Sequence, residues 1–368
     1  MRIGVVTTSY PRHAGDHAGS FVAAHVHAMR ELGHHVDVVG AHTIESSLFR
    51  RAGAPDELER GRGYLRGAWF TARLAAEVGR RARDWDLVVA HWLVPALAAL
   101  PALSSRPVMA PMPTLARLCA RKPLLAIAHG GDVHTLRRLR LLAPALRLLR
   151  GSQLVFVSEE LRALAEAPDA LVQPMGIDTA HFAALGRAPT SPPTIVVAAR
   201  LVPIKGVDVA LAALPHLRTR VRLVIAGDGP ERARLASNAA ANVTFLGAVD
   251  TRARDQLLRE ASVVVVPSRV LGNGRSEGMP MIALEALAAG VPVVASAVGG
   301  LASLDAAVSV QPSDPRALAA AIDRVLAVPP RADDLRASVA HLAWPTVAAR
   351  LLQHAGCATA EPNHRRTA

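Results

Sequence analysis

The chain reads as an α/β protein built from two doubly wound domains. Three observations predict this. Short apolar runs of β type alternate from end to end with longer amphipathic segments rich in Ala and Leu, the pattern of parallel strands joined by crossover helices. Most of those runs lack polar alternation, so their strands should be covered by helices on both faces. A length of 368 residues, 51% of them hydrophobic, supplies two cores.

Taken in order, the first half offers IGVVTTS (3–9), HVDVVGA (35–41), LVVAHW (87–92), PVMAP (107–111), LLAIAH (124–129), LVFVS (154–158) and ALVQP (170–174). The second offers TIVVAAR (194–200), VRLVIAG (221–227), NVTFLG (242–247), SVVVVPS (262–268), VPVVAS (291–296) and AVSV (307–310). The opening MRIGVVTTSYPRHAG reads as the first strand and not as a signal peptide, because it lacks a helical apolar stretch and a small-residue cleavage site. The longest apolar stretch, 87–103, is broken by His91, Pro95 and Pro101 and falls short of the ~20 residues that span a bilayer. Between the halves, Pro189, Pro192 and Pro193 stop any helix and mark a linker. The expected domains are 1–188 and 189–342, followed by a terminal helix within 343–357 and an unpacked tail, 358–368. Ligands of such sheets bind in the loops after the strands.

Composition excludes several classes. The net charge of +12 comes almost wholly from arginine, Lys122 and Lys205 being the only lysines, and the excess is spread over both halves. With aromatics at 3% and no nucleic-acid-binding signature, no nucleic-acid partner is expected. Cys119 and Cys357 are far apart, so neither a disulfide framework nor a zinc site is called for, and a cytoplasmic location fits. No histidine pair has metal-ligand spacing. No GxGxxG follows the first strand, which disfavours a dehydrogenase.

Two constellations carry chemistry. SEGMPMIALEALAAGVPVVAS (276–296) follows a strand, with Glu277 in a Gly/Pro turn and Glu285 in the apolar helix expected over 281–289. Eight helical residues rise ~12 Å, which suits two carboxylates gripping separate parts of an extended ligand through its hydroxyls. The plainer reading is one glutamate favouring the helix dipole and one in water. In AARLVPIKGVDVALAAL (198–214), Arg200 ends a strand and Lys205 opens the next helix across Gly206. Cations flanking a helix N-terminus suit a diphosphate.

At these residues the chain resembles glycosyltransferase family 4, the retaining, nucleotide-sugar-dependent transferases of the GT-B fold. The likeness extends over AGSFVAAHVHAMRELGHHVDVV, HGGD (129–132), VSEEL (157–161), PMGIDTAHF (174–182), RLVPIKG (200–206), IAGDGP (225–230), FLGAV (245–249) and the glutamate pair. It implies two Rossmann-like domains facing across a cleft, the N-terminal one for the acceptor and the C-terminal one for the donor. It further implies that Glu285 binds the donor ribose, that Glu277 reaches the donor sugar, and that Arg200 and Lys205 neutralise the diphosphate without a metal or other cofactor. His129 would approach the transferred sugar, with Asp132 supporting its loop, and Gly19 and Ser20 would stand on the acceptor side. Ser20 replaces a frequent glycine, Met175 an asparagine, and Pro280 a glycine. Because Pro280 has no amide hydrogen, Gly278 and Met279 become the expected backbone contacts. The terminal helix, 345–355, would pack on the N-terminal domain with Trp344 near the junction.

Other features are less committal. GDGP (227–230) reads as a structural turn. His91 and Trp92 either line the acceptor side or simply pack. Leu136–Gly151, which Pro144 kinks or interrupts, is either an ordinary helix with its leucines on the sheet or a basic amphipathic one lying on an anionic membrane, the second drawing weight from the lipid-linked acceptors of the family. The resulting expectation is a metal-independent, retaining hexosyltransferase, moving a sugar from a nucleotide sugar to a glycan or lipid-linked acceptor in cell-surface polysaccharide or glycolipid synthesis, in the cytoplasm or at the inner membrane face. The alternatives are a nucleotide-sugar epimerase of the same fold or a catalytically inactive membrane-surface or scaffold relative.

Overall fold

A computed structural model describes residues 1–12, 19–44, 63–103, 122–237 and 239–357. The chain forms two compact units, Met1–Gly176 with the segment from Trp344 onward, and Ile177–Ala343. The first contains β1 (Arg2–Thr7), α1 (Ser20–Glu31), β2 (His35–Val39), α2 (Gly63–Arg81), β3 (Leu87–His91), α3 (Leu93–Leu103), β4 (Leu124–Ala128), α4 (Gly131–Arg138), α5 (Leu142–Leu148), β5 (Gln153–Phe156), α6 (Glu159–Leu164) and β6 (Leu171–Val172). The second contains α7 (Thr179–Ala184), β7 (Thr194–Ala198), α8 (Val207–Ala213), β8 (Arg222–Ala226), α9 (Arg232–Ser237), β9 (Val243–Gly247), α10 (Thr251–Glu260), β10 (Val263–Val266), α11 (Met281–Ala288), β11 (Val293–Ser296), β12 (Val308–Val310), α12 (Pro315–Ala327) and α13 (Ala332–Val339). A last helix, α14 (Trp344–His354), returns to the first unit.

Each unit holds one six-stranded sheet, ordered β2-β1-β3-β4-β5-β6 and β12-β11-β10-β7-β8-β9, with every strand pair parallel. The order reverses between β1 and β3 in one sheet and between β7 and β10 in the other. At such a reversal the two connections leave on opposite faces and open a crevice at the strands' carboxyl ends. Every expected strand is present except PVMAP (107–111), which lies outside the described residues, as do Cys119 and the tail 358–368. The central strands β3, β4 and β10 are buried at every position. The edge strand β9 alternates instead, leaving Leu246 46% exposed on the face it shares with Thr244.

One expectation shifts. The division between the units falls after Gly176 and not near residue 188, since α7 packs on α11 and α13. The proline-rich segment is fastened to the end of α10, Ala188 and Thr190 donating to the carbonyls of Arg259 and Glu260. Prolines break a helix there without freeing the chain. The segment 136–151 is interrupted as expected, into α4 and α5, but the break falls where Arg140 adopts φ 57°, ahead of Pro144, which sits in the first turn of α5. Among the described residues, no helix is long and apolar enough to cross a membrane.

α14 packs along α1 and buries Trp344, Val347, Ala348, Leu351 and Leu352. Gly176 lies flat on the Trp344 ring, where a Cβ would come within 2.5 Å. Cys357, just beyond α14, is a free thiol.

Candidate functional site

In the second unit the crevice between β7 and β10 is a cavity of about 140 Å³, lined by Val197–Ala199, Lys205, Val265–Ser268, Pro280, Met281 and Ile282. The turn after β7 is a single 3-10 turn, Pro203–Lys205, ended by Gly206 at φ 60°. Only glycine fits there. A Cβ would stand 2.0 Å from the Pro267 carbonyl oxygen, so a side chain would meet backbone as well as an unfavourable φ. Arg269 completes the clamp, its amide donating to the Ile204 carbonyl (2.9 Å) and its guanidinium to Asp208 (2.5 Å). Lys205 is thereby fixed with Nζ 2.6 Å from Glu277 Oε2, both side chains mostly buried, and the Ser268 hydroxyl reaches the same oxygen at 3.4 Å.

Across the cavity, α11 begins at Met281 after Pro280, whose carbonyl accepts from the Ala283 amide. The helix leaves the first-turn amides of Met281 and Ile282 without internal partners, at its positive end. Gly278 and Met279, the expected backbone donors, do not line the cavity. The Gly278 carbonyl accepts from Gly300 at 2.6 Å, and Gly299 approaches so closely that a Cβ would sit 1.7 Å from the Glu277 carbonyl oxygen. The Gly299–Gly300 pair, unremarked in the sequence reading, therefore shapes the loop that presents Glu277. Arg200 is half-buried beside this group, its pKa lowered by burial and by Arg275, with Glu277 opposing.

Glu285, the fifth residue of α11, has partners different from those of Glu277. Arg254 on α10 donates to Glu285 Oε1 (3.1 Å) and to Asp255 (2.9 Å), and Asp255 bonds His181 of α7 (2.8 Å). The Arg254 guanidinium also covers the Phe182 ring. Burial raises the Glu285 pKa and Arg254 opposes that. Arg254 gave no sequence signal, because α10 also carries Arg252 and Arg259 and one more arginine in it reads as solvated. GDGP is a structural turn, Gly227 and Gly229 packing on the carbonyls of Ala199 and Leu201 in the neighbouring loop.

In the first unit the corresponding loops follow β1, β3 and β4. Gly19 caps α1 at φ 71° against the Ser9 carbonyl, and Ser20 is exposed. Asp132 is buried and ties two loops together: Oδ1 accepts from the amides of His129 and Gly130, and Oδ2 from that of Leu93. His129 does not stand alone. Its Nε2 lies 3.0 Å from His91 Nδ1, and His91 Nε2 lies 3.1 Å from His25 Nδ1. Phe21 and Trp92 pack around His91 and His129, and Trp344 stacks on His25. His91 therefore packs and also bonds the candidate residue. His25 was legible only in part: it falls on the apolar stripe Val22, Val26, Met29, which predicts burial. Among the described residues no cluster of His, Cys, Asp or Glu has metal-binding geometry.

Burial in this aromatic setting lowers the pKa of His25 to about 4 and that of His129 to about 3, and puts His91 well below the ordinary value. The unfolded chain takes up these protons near pH 6.5, so between about pH 6.5 and 4 it binds more protons than the folded chain. Stability is then expected to fall as pH drops through that window, by roughly 3 kcal/mol for fully buried His25. Asp132, whose pKa burial raises, works in the opposite sense. Urea unfolding at pH 7 and pH 4.5 checks this, and His25→Phe should remove part of the dependence.

The model for "Glycosyl transferases group 1" matches residues 192–327. The chain is 31% identical over 344 residues to a GDP-mannose-dependent alpha-(1-6)-phosphatidylinositol monomannoside mannosyltransferase of Mycobacterium tuberculosis, covering 81% of each. Among solved structures it superposes on sucrose-phosphate synthase from Thermosynechococcus elongatus with a TM-score of 0.71 at 20% identity, covering 96% of this chain and 97% of that one. An alpha,alpha-trehalose-phosphate synthase from Burkholderia xenovorans gives 0.71 at 16% identity, covering 97% and 100%.

Proposed function

The chain belongs to the group 1 glycosyl transferases, and from that premise we propose that it moves a sugar from a nucleoside diphosphate sugar to a lipid-linked or glycan hydroxyl with retention of anomeric configuration. The observation that carries this reading is the Lys205–Glu277 pair at the rim of the β7/β10 crevice, opposite the first-turn amides of α11. A diphosphate placed there meets Lys205, Arg200 and the amides of Met281 and Ile282, whose positive charge stabilises the leaving group as its own charge develops. Glu277, already bonded to Lys205, has its other oxygen for a sugar hydroxyl. Glu285, held by Arg254 through Oε1, has Oε2 for the ribose. His129, at the carboxyl end of β4, is read as a contact for the transferred sugar. The acceptor hydroxyl attacks on the face the phosphate leaves, and the departing phosphate takes its proton, so no side chain acts as nucleophile.

The relative's donor makes GDP-mannose the first candidate. In a thermal-shift screen of nucleotide sugars run in excess EDTA, the true donor should raise the melting temperature through linkage, and transfer should persist in the chelator because the counter-charge is the protein's own. Glu285→Ala should weaken nucleotide binding about 10- to 100-fold by calorimetry, the worth of a hydrogen bond to a charged group. No stabilisation by any nucleotide sugar would overturn the reading.

A lipid-linked acceptor also gives a role to the turn between α4 and α5, where Arg137, Leu139, Arg140 and Leu141 are exposed. We place the chain at the inner membrane face through 136–151. Sedimentation with anionic vesicles, and not with neutral ones, is the expected result.

A further inference from the structure

We propose that His25 and His91 are positioning residues that hold His129 in a single neutral tautomer, with Nδ1 protonated, so that it offers the transferred sugar a hydrogen-bond donor. The inference rests on the reading of His129 as a sugar contact. A neutral imidazole has one donor and one acceptor nitrogen, and His91 uses both of its own, so the direction of one bond dictates the other. Only two arrangements of the three rings exist. In one, protons point from His25 toward His129, leaving His25 Nε2 bare and His129 Nδ1 protonated. In the other, every proton is reversed, which buries an N–H at His25 Nε2 and leaves His129 Nδ1 a bare acceptor.

The far end of the chain selects between them. His25 is fully buried, stacked on Trp344 (centroids 5.4 Å apart, planes at 13°), and its Nε2 has no partner. An orphaned buried N–H is the costlier of the two, since an unused lone pair is tolerated more readily. Protons therefore run outward, from His25 Nδ1 to His91 Nε2 and from His91 Nδ1 to His129 Nε2. Among the described residues no carboxylate hydrogen-bonds any of the three rings. The low basicity of all three keeps the chain neutral at physiological pH. Stacking of His91 on His129 (5.1 Å, 13°) holds the ring plane as the hydrogen bonds hold the tautomer.

The test reads the tautomer directly. Long-range proton–nitrogen spectra of the full chain labelled with ¹⁵N-histidine, assigned with His129→Asn, should show His129 with a pyrrole-type Nδ1 and a pyridine-type Nε2. His91→Phe keeps a flat ring in the stack but cannot hydrogen-bond. It should give a mixture of tautomers at His129 and lower kcat about tenfold, the loss of one oriented hydrogen bond, with nucleoside diphosphate affinity unchanged. His25→Phe, which leaves the His91–His129 bond in place but frees its direction, should produce the same mixture. A protonated Nε2 on His129 in the wild type, or an unchanged tautomer in both variants, would overturn the proposal, as would unchanged turnover in a variant whose tautomer has shifted. A wild type that shows the fixed tautomer yet transfers from no nucleotide sugar would instead overturn the assigned reaction.

Discussion

Lys205→Ala is expected to lower kcat/KM for sugar transfer by about 100- to 1,000-fold, the cost of removing one preorganised group aimed at developing charge. Two losses combine. The diphosphate loses a cation held in place by the Gly206 turn, and Glu277, mostly buried, loses the partner 2.6 Å away that neutralises it. With one cation fewer beside it, the carboxylate repels the phosphates. The double variant Lys205→Ala with Glu277→Ala should therefore bind the nucleoside diphosphate better than Lys205→Ala alone, though both transfer slowly. Lys205→Arg should recover binding more than turnover, because a planar fork does not reproduce a compact ammonium. Measured kcat/KM within fivefold of wild type for Lys205→Ala would remove this residue from the site.

Both sheets were legible because their strands announce themselves: VVVV and LLAIA are too apolar for anything but a strand covered on both faces. Strand ends then place the loops, and the loops place Arg200, Lys205 and His129. Partners that depend on three-dimensional neighbours were not legible. Arg254 reaches Glu285 from 31 residues away, and His25 reaches His91 from 66 residues away. Gly278 and Met279 show a similar limit: with no amide hydrogen at Pro280 the sequence points to donors on its N-terminal side, and only the helix start shows that Met281 and Ile282 line the cavity. The linker was misjudged for a related reason. Proline forbids helix locally, but whether a segment belongs to one unit or the next is decided by what it bonds, here the end of α10.

Ending the chain at residue 342 is expected to unfold the first unit. The deletion strips from α1 a face made by Trp344, Val347, Leu351 and Leu352, all buried. At about 1.5–3 kcal/mol for each large apolar side chain, the loss is of order 6–12 kcal/mol, as large as the whole stability of a typical domain. Trp344 also carries His25, so the same cut uncovers the inner end of the histidine chain. The readout is built in, because the tryptophans that the shortened chain keeps, Trp69, Trp85 and Trp92, all lie in the first unit, and their emission reports on that unit alone. Emission should move to the red, led by Trp85, which is 1% exposed in the fold. Leu351→Ala is the graded version: it should cost about 2–5 kcal/mol and lower the urea midpoint followed by tryptophan while leaving the chain folded at pH 7. A chain ending at residue 342 that keeps blue emission and transfers at the full-length rate would show that α14 is dispensable. Its apolar face would then need another explanation than the support of α1 and of His25.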